Sequence, residues 1–168
     1  MRARTYLRIA CLVAGAGLTG PAVVQAQNSA NASVTADVQQ PITVTKTADL
    51  AFGTVFPGLN KTIAVTDAGA AAFTIAGQAG ANVNLTFTIP ATIAHAGNTM
   101  PIASWSARHN TTNSAASGTT FTPSASATST VLNGSGALYV FVGATAQPAV
   151  TQVAGTYSGT LTMTVVYF

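Results

Sequence analysis

Residues 160–168 alternate strictly between the two faces of an extended chain, and this pattern constrains the fold more than any other feature of the sequence. One face carries apolar side chains, and the other carries mainly threonine. A period of two residues is that of a β-strand packed on a core by one face. The sequence therefore predicts a terminal β-strand whose inward residues are Leu161, Met163, Val165 and Tyr167.

Similar short runs recur along the chain, separated by turn residues such as Pro57, Gly58, Asn133 and Gly134. The composition is rich in Thr, Val, Ser and Asn and lacks Glu. It disfavours helices, because β-branched side chains are stiff and short polar ones compete for backbone hydrogen bonds. We predict an all-β fold, an immunoglobulin-like antiparallel β-sandwich of about seven to nine strands in one domain over residues 27–168. The other predicted strands cover residues 30–38, 50–55, 62–66, 71–76, 83–89, 102–107 and 137–142.

The first 26 residues have the features of a secretory signal peptide. Arg2, Arg4 and Arg8 form a basic start, an apolar stretch follows, and Ala26 ends a small-x-small cleavage site. This predicts export through the Sec pathway to the periplasm, the cell surface or the extracellular medium. The one cysteine, Cys11, lies in this segment. The mature domain is therefore predicted to be held together without disulfides, by core burial and sheet hydrogen bonds.

The basic character of the chain is confined to the predicted signal peptide. The formal net charge is +3, from six Lys and Arg residues against three Asp residues. Three of the cations lie in residues 1–26, so positive and negative side chains balance in residues 27–168. A basic patch that neutralises phosphates cannot be assembled from them. We therefore expect no nucleic-acid partner and no stable membrane insertion.

Residues capable of catalysis or metal binding are few and scattered. The predicted mature chain has His95, His109, Asp37, Asp49 and Asp67, without the spacing of a metal site. It contains neither a G-x-S-x-G elbow nor a phosphate-binding glycine motif. We expect no catalytic residue, no cofactor site, no metal site and no enzyme activity. A weak hydrolase built on a chance Ser-His-Asp triad ranks last among the functions considered.

The aromatic residues are interpreted first as packing residues of the fold and only second as functional residues. Trp105 is interpreted first as a strand residue packed on the core, and alternatively as a platform for stacking a sugar ring. Tyr139 and Phe141 share one strand face, which indicates core or sheet packing. Tyr157 is expected to cap the final strand through its hydroxyl. Residues 110–130 are nearly all small and polar, and they predict a long solvated loop.

Five short segments occur in a set order along the chain: PITVTKTADLAFG at 41–53, TVFPG at 54–58, AFTIAG at 72–77, VFVG at 140–143 and GTYSG at 155–159. Together with the penultimate Tyr167, they resemble the bacterial domain-of-unknown-function family 4402 (DUF4402). Proteins of that family are secreted, mostly cysteine-free β-sandwiches, and are similar to Mat/Ecp-type alternative chaperone–usher fimbrial subunits. The resemblance thus implies an exported sandwich and a fimbrial role.

A fimbrial subunit of this type lacks one strand, and the N-terminal extension of a neighbour fills the gap. The alternating residues that would donate this strand are Ala30, Ala32, Val34, Ala36 and Val38. The candidate C-terminal assembly strand, which would form a wall of the gap, contributes Gly155, Leu161, Met163, Val165 and Tyr167. Alternatively, the segment 27–38 forms the domain's own first strand, and the sequence leaves both possibilities open.

The expected function is that of an exported, non-enzymatic cell-surface or secreted structural protein. It would be a fimbria- or pilus-like subunit whose partners are further copies of itself or a periplasmic chaperone and usher. The alternative is a monomeric secreted adhesin-like module that binds a surface carbohydrate through Trp105 and residues 110–130.

Overall fold

The computed structural model describes residues 28–168. The chain divides into residues 1–36, of which 28–36 are described, and residues 37–168. The predicted signal peptide, with Cys11, lies outside the described residues. Residues 28–36 contain no strand and are exposed throughout. The strands of the second unit are β1 (Thr43–Ala48), β2 (Lys61–Ile63), β3 (Ala71–Ala76), β4 (Asn82–Thr88), β5 (Thr92–His95), β6 (Asn98–Asn110), β7 (Thr119–Phe121), β8 (Thr128–Val131), β9 (Ala137–Ala146) and β10 (Thr162–Tyr167).

The strands form two antiparallel sheets. The larger has seven strands in the order β1-β3-β9-β6-β5, with β2 paired to β9 and β7 paired to β6. The smaller has three strands in the order β10-β4-β8. The predicted all-β fold, an immunoglobulin-like antiparallel sandwich, is confirmed, with ten strands rather than seven to nine.

The two sheets enclose one apolar core. Alternate residues of β3, β4 and β9 point into it, as the period of two requires. Its most deeply buried side chains are Ile75, Val83, Leu85, Leu132, Leu138, Val140 and Val142. Tyr139 and Phe141 lie on the opposite face of β9 and are half-buried, so sheet packing rather than the core accounts for them.

Residues 50–55 were predicted to form a strand, and this prediction was wrong. The Ala51 amide donates to the carbonyl oxygen of Gly69 across 2.8 Å, and the segment forms a loop. Leu50, Phe52 and Val55 turn inward and pack on a second buried cluster. The apolar side chains of this segment therefore cover an end of the core without joining a sheet.

The polar segment 110–130 is also more ordered than predicted, because it contains β7 and the first part of β8. Phe121 of β7 packs against Phe87 with ring centroids 5.7 Å apart. The predicted strand 62–66 is shorter than expected. The Asp67 carboxylate accepts a hydrogen bond from the Ala64 amide at 2.8 Å, and this turn ends β2.

A candidate strand-binding groove

The last strand, β10, is an edge strand. Among residues 28–168 it pairs only with β4, in a register from Thr162↔Thr88 to Tyr167↔Val83. The Phe168 amide donates to the Asn82 carbonyl at 3.4 Å. Because antiparallel hydrogen-bonded and non-hydrogen-bonded pairs alternate, the amides of Met163, Val165 and Tyr167 point the other way, to the free edge.

The hydrogen bonds of Tyr167 show which strand of the larger sheet lies nearest to the free edge of β10. The Tyr167 hydroxyl, at the end of β10, accepts from the Gln78 amide just after β3 at 2.6 Å and donates to the Gln40 carbonyl just before β1 at 2.7 Å. At the other side of the sandwich, Thr130 of β8 lies 3.2 Å from Nδ1 of His109 on β6. The free edge of β10 therefore faces the side of the sandwich that carries β1.

The inward face of β1 is uncovered. Val44 pairs with the fully buried Ile75 and Lys46 pairs with the buried Phe73, and residues directly opposite each other share a sheet face. Val44 nevertheless remains 39 % exposed. Within residues 28–168, the three-stranded sheet places no strand opposite β1, so no described strand occupies the position beside β10 there.

A cavity of about 830 Å³ adjoins this position at the end of the sandwich where β1 ends and β10 begins. Lys46 of β1 and Leu161 directly before β10 line it, whereas Val44 and the residues of β10 itself do not. Its apolar walls come from β3, β5 and β6 of the larger sheet and from the loops after β1 and before β10. The apolar residues that line it include Leu50, Phe52, Phe73, Ile93, Met100, Ile102, Trp105 and Leu161. Lys46 and Asp49 form an ion pair of 2.5 Å at its margin. We call the uncovered face of β1, the free edge of β10 and this adjoining cavity together the groove.

Trp105 reaches the groove through a β-bulge. The register of β6 with β9 shifts between Ala103 and Ser106, and Ser104 has a φ of 50°. An extra residue of this kind bends a strand and re-aims its side chains. The half-buried indole packs against both buried clusters and also lines the groove. The interpretation as a strand tryptophan packed on the core is therefore supported, and one side of the indole remains part of the groove wall.

A family model described as "Domain of unknown function (DUF4402)" matches residues 42–167. The chain belongs to the DUF4402 family. The match begins directly before β1 and ends with the last residue of β10, so it includes all ten strands of this DUF4402 domain and leaves residues 30–38 outside. A search of curated proteins found no match.

The predicted C-terminal assembly residues of this DUF4402 domain fall into two places. Met163, Val165 and Tyr167 share the inward face of β10, as predicted, and Leu161 directly before the strand packs on the same core cluster. Gly155 lies in the loop before β10, where a Cβ atom would overlap the imidazole of His95. Only the first group can therefore form a wall of the groove by strand pairing.

Tyr157 has a different role from the one predicted. Its hydroxyl donates to the Val153 carbonyl at 2.8 Å and accepts from the side-chain amide (Nε2) of Gln152 at 2.6 Å. Its ring lies 5.5 Å from that of His95. Next to it, Ser158 and Ala94 exchange two backbone hydrogen bonds of 2.9 and 3.0 Å. Tyr157 thus fixes the loop before the final strand instead of capping the strand itself.

The candidate donor residues of the family member lie outside its strands. Ala30, Ala32, Val34, Ala36 and Val38 are all exposed and belong to no strand, and Val34 and Val38 are each 94 % exposed. The domain's own first strand begins at Thr43. The alternating segment and the final strand carry a signal in the sequence. The gap was expected only from the family resemblance, because a vacant position depends on how the two sheets align.

A second, smaller cavity of about 390 Å³ lies next to His109 between β6, β7 and β8. The imidazole packs against Phe121 at a ring distance of 5.7 Å. Burial lowers the pKa of His109 below its ordinary value. His109 itself is half-buried.

The described part of the chain offers no group of three or more His, Cys, Asp and Glu side chains placed to hold a metal ion. Over residues 28–168, no helix has the length and hydropathy needed to cross a bilayer.

Proposed function

We propose that this protein is an exported, non-enzymatic structural subunit of a fimbria- or pilus-like polymer, and that it assembles by β-strand addition. The observation that carries the proposal is the vacant strand position between β1 and β10. An inward-facing Val44 with 39 % exposure and a free row of amides on β10 form two walls of a site that an extended strand would complete.

The proposed occupant is the segment with Ala30, Ala32, Val34, Ala36 and Val38 of a second copy. Its alternation would place small apolar side chains toward the core and Asn31, Ser33, Thr35 and Asp37 toward solvent. Burial of each valine would contribute roughly 1.5–3 kcal/mol. Backbone hydrogen bonds to the free edge would add specificity for an extended chain.

The unfilled groove also accounts for the proposed partners. An exposed sheet edge beside apolar surface is a site of unwanted pairing and aggregation. A subunit with such an edge needs temporary cover before assembly, and a periplasmic chaperone that supplies a strand provides it. The chaperone and an usher are therefore part of the proposal, together with the localisation at the cell surface.

Two variants of the mature chain from residue 27 test the proposal. Val34→Asp would place a charge into the groove and should abolish SDS-resistant oligomers in unheated samples and filaments in electron micrographs. Thr35→Asp is the matched control, because the same charge would point to solvent, and it should assemble like the parent chain. Equal assembly of both variants would contradict strand addition.

A parent chain that stays monomeric at all concentrations would favour the alternative function, a secreted adhesin-like module that binds a surface carbohydrate. The observation on which this alternative rests is Trp105 in the groove wall, since tryptophan rings stack on sugars. Quenching of its fluorescence by oligosaccharides, and loss of that quenching in Trp105→Ala, would support it.

A further inference from the structure

One end of the sandwich carries an exposed apolar surface made by two loops. The largest exposed apolar side chains there are Phe56 (63 %), Leu59 (64 %) and Val150 (82 %). The Gly58 amide lies 3.3 Å from the Pro148 carbonyl and 3.1 Å from the Ala149 carbonyl, and donates to both. These contacts join the two loops. We call the three residues the tip patch.

The tip patch lies at the end of the sandwich where β1 and β9 end and β10 begins. The opposite end, the base, is marked by the Tyr167 hydroxyl and its bond of 2.7 Å to the Gln40 carbonyl. Gln40 is therefore held at the base. Residues 30–38 precede Gln40 in the chain, so the donor segment of each copy is joined to its own domain at the base.

Because the donor segment is joined to its domain at the base, only certain arrangements of copies in a polymer are possible. If the donor strand ran parallel to β10, it would leave the groove of the acceptor at the base. Both neighbours of every copy would then compete for the same end. If the donor strand runs antiparallel to β10, it leaves the groove at the tip, and one neighbour lies at each end.

The base also carries exposed apolar side chains. Phe168 and Val166 lie at the end of β10, on its outer face, and are 66 % and 50 % exposed. We call them the base patch. In the antiparallel arrangement the base of the donor copy comes next to the tip of the acceptor copy.

We propose that the tip patch of one copy binds the base patch of the next, which is a second, head-to-tail contact between copies in addition to strand addition. This proposal rests on the proposed function. Two different surfaces are joined, so the contact does not close on itself and propagates along a filament. It would fix the orientation of successive copies at a second place, in addition to the inserted strand.

Cysteine cross-linking tests the contact in the mature chain, whose residues 27–168 contain no cysteine. The variant Leu59→Cys/Phe168→Cys carries one thiol at the tip and one at the base of each copy. A short bismaleimide should convert its assembled form into a ladder of covalent multimers under reducing, heated SDS conditions. Each single variant should give no ladder, because one thiol per copy allows covalent dimers at most.

The control Thr164→Cys/Phe168→Cys moves the first thiol to the middle of the outer face of β10, and should not form the ladder. Unheated samples without cross-linker report strand addition separately. SDS-resistant oligomers without a covalent ladder would overturn the tip–base contact and leave strand addition intact. A ladder of equal yield in the control would also overturn the contact. Absence of SDS-resistant oligomers would overturn the proposed function and this inference together.

Discussion

At the scale of single residues, Gly155 determines how the chain approaches β10. The space that a Cβ atom would need is filled by the imidazole of His95, and this imidazole in turn packs on the Tyr157 ring. The loop before the final strand therefore depends on the absence of a side chain. Sequence reasoning singled out Gly155 but assigned it to the assembly strand, since a close approach of two loops leaves no periodic signal in the sequence.

We expect Gly155→Ala to lower the free energy of unfolding by about 1–3 kcal/mol, because the added methyl group forces His95 from its position. Gly134→Ala is the matched control, since open space surrounds Gly134, and it should change stability by less than about 0.5 kcal/mol. Urea unfolding of both variants measures the difference. Equal stability of the two variants would show that His95 moves without cost.

His109 gives a second prediction at this scale. Burial lowers its pKa in the folded protein, whereas the unfolded chain titrates near 6.5. The unfolded state therefore takes up a proton first as the pH falls. The stability that comes from neutral His109 is complete above about pH 6.5 and is lost as the pH falls through the lower, folded pKa.

The variant His109→Gln isolates this contribution. The free energy of unfolding of the parent chain should fall more steeply than that of the variant as the pH is lowered below about 6.5. Chemical denaturation across a pH series provides both curves. Parallel curves would contradict a lowered pKa for His109.

At the scale of elements, the strands predicted from strict alternation are correct where both edges of the segment pair with neighbouring strands or one face packs on the core. The prediction for 71–76 coincides with β3, and the inward and outward faces of β10 are as predicted. The strand predicted from alternation at residues 50–55 is wrong, because the backbone of this segment pairs with no strand of the described chain and its side chains fill the end of the core. Alternation also failed at β7 and β8, where short polar side chains carry little pattern and backbone pairing with β6 and β4 decides the structure.

Substitutions at neighbouring residues on the two faces of β10 should lower the free energy of unfolding by very different amounts. Met163 is buried at 8 % exposure, so Met163→Ala should lower the free energy of unfolding by about 2–5 kcal/mol through lost packing. Thr164 faces solvent, so Thr164→Ala should change it by less than about 0.5 kcal/mol. Thermal unfolding distinguishes them, and similar losses in both would mean that the faces of the strand are assigned incorrectly.

At the scale of the whole molecule, the groove arises from a mismatch between sheets. Three strands cover only part of a seven-stranded sheet, and none of the strands in residues 28–168 covers the inward face of β1. Strands such as β3 and β10 give a signal in the sequence. The vacancy gives none, because it is a property of sheet order and alignment. The DUF4402 resemblance predicted the fold correctly, and the vacant position is the observation on which the proposed polymer-forming role rests.

The most direct test of this role is amide hydrogen exchange at the free edge of β10. A shortened chain that begins at Gln39 keeps the hydrogen bond between Gln40 and Tyr167 and lacks the donor segment. A synthetic peptide of residues 28–38 supplies that segment, and the same peptide with Val34→Asp is the control. The amides of Met163, Val165 and Tyr167 should exchange fast in the shortened chain alone and slowly with the parent peptide, but not with the control. Unchanged exchange of these three amides at saturating peptide would contradict strand addition at this groove.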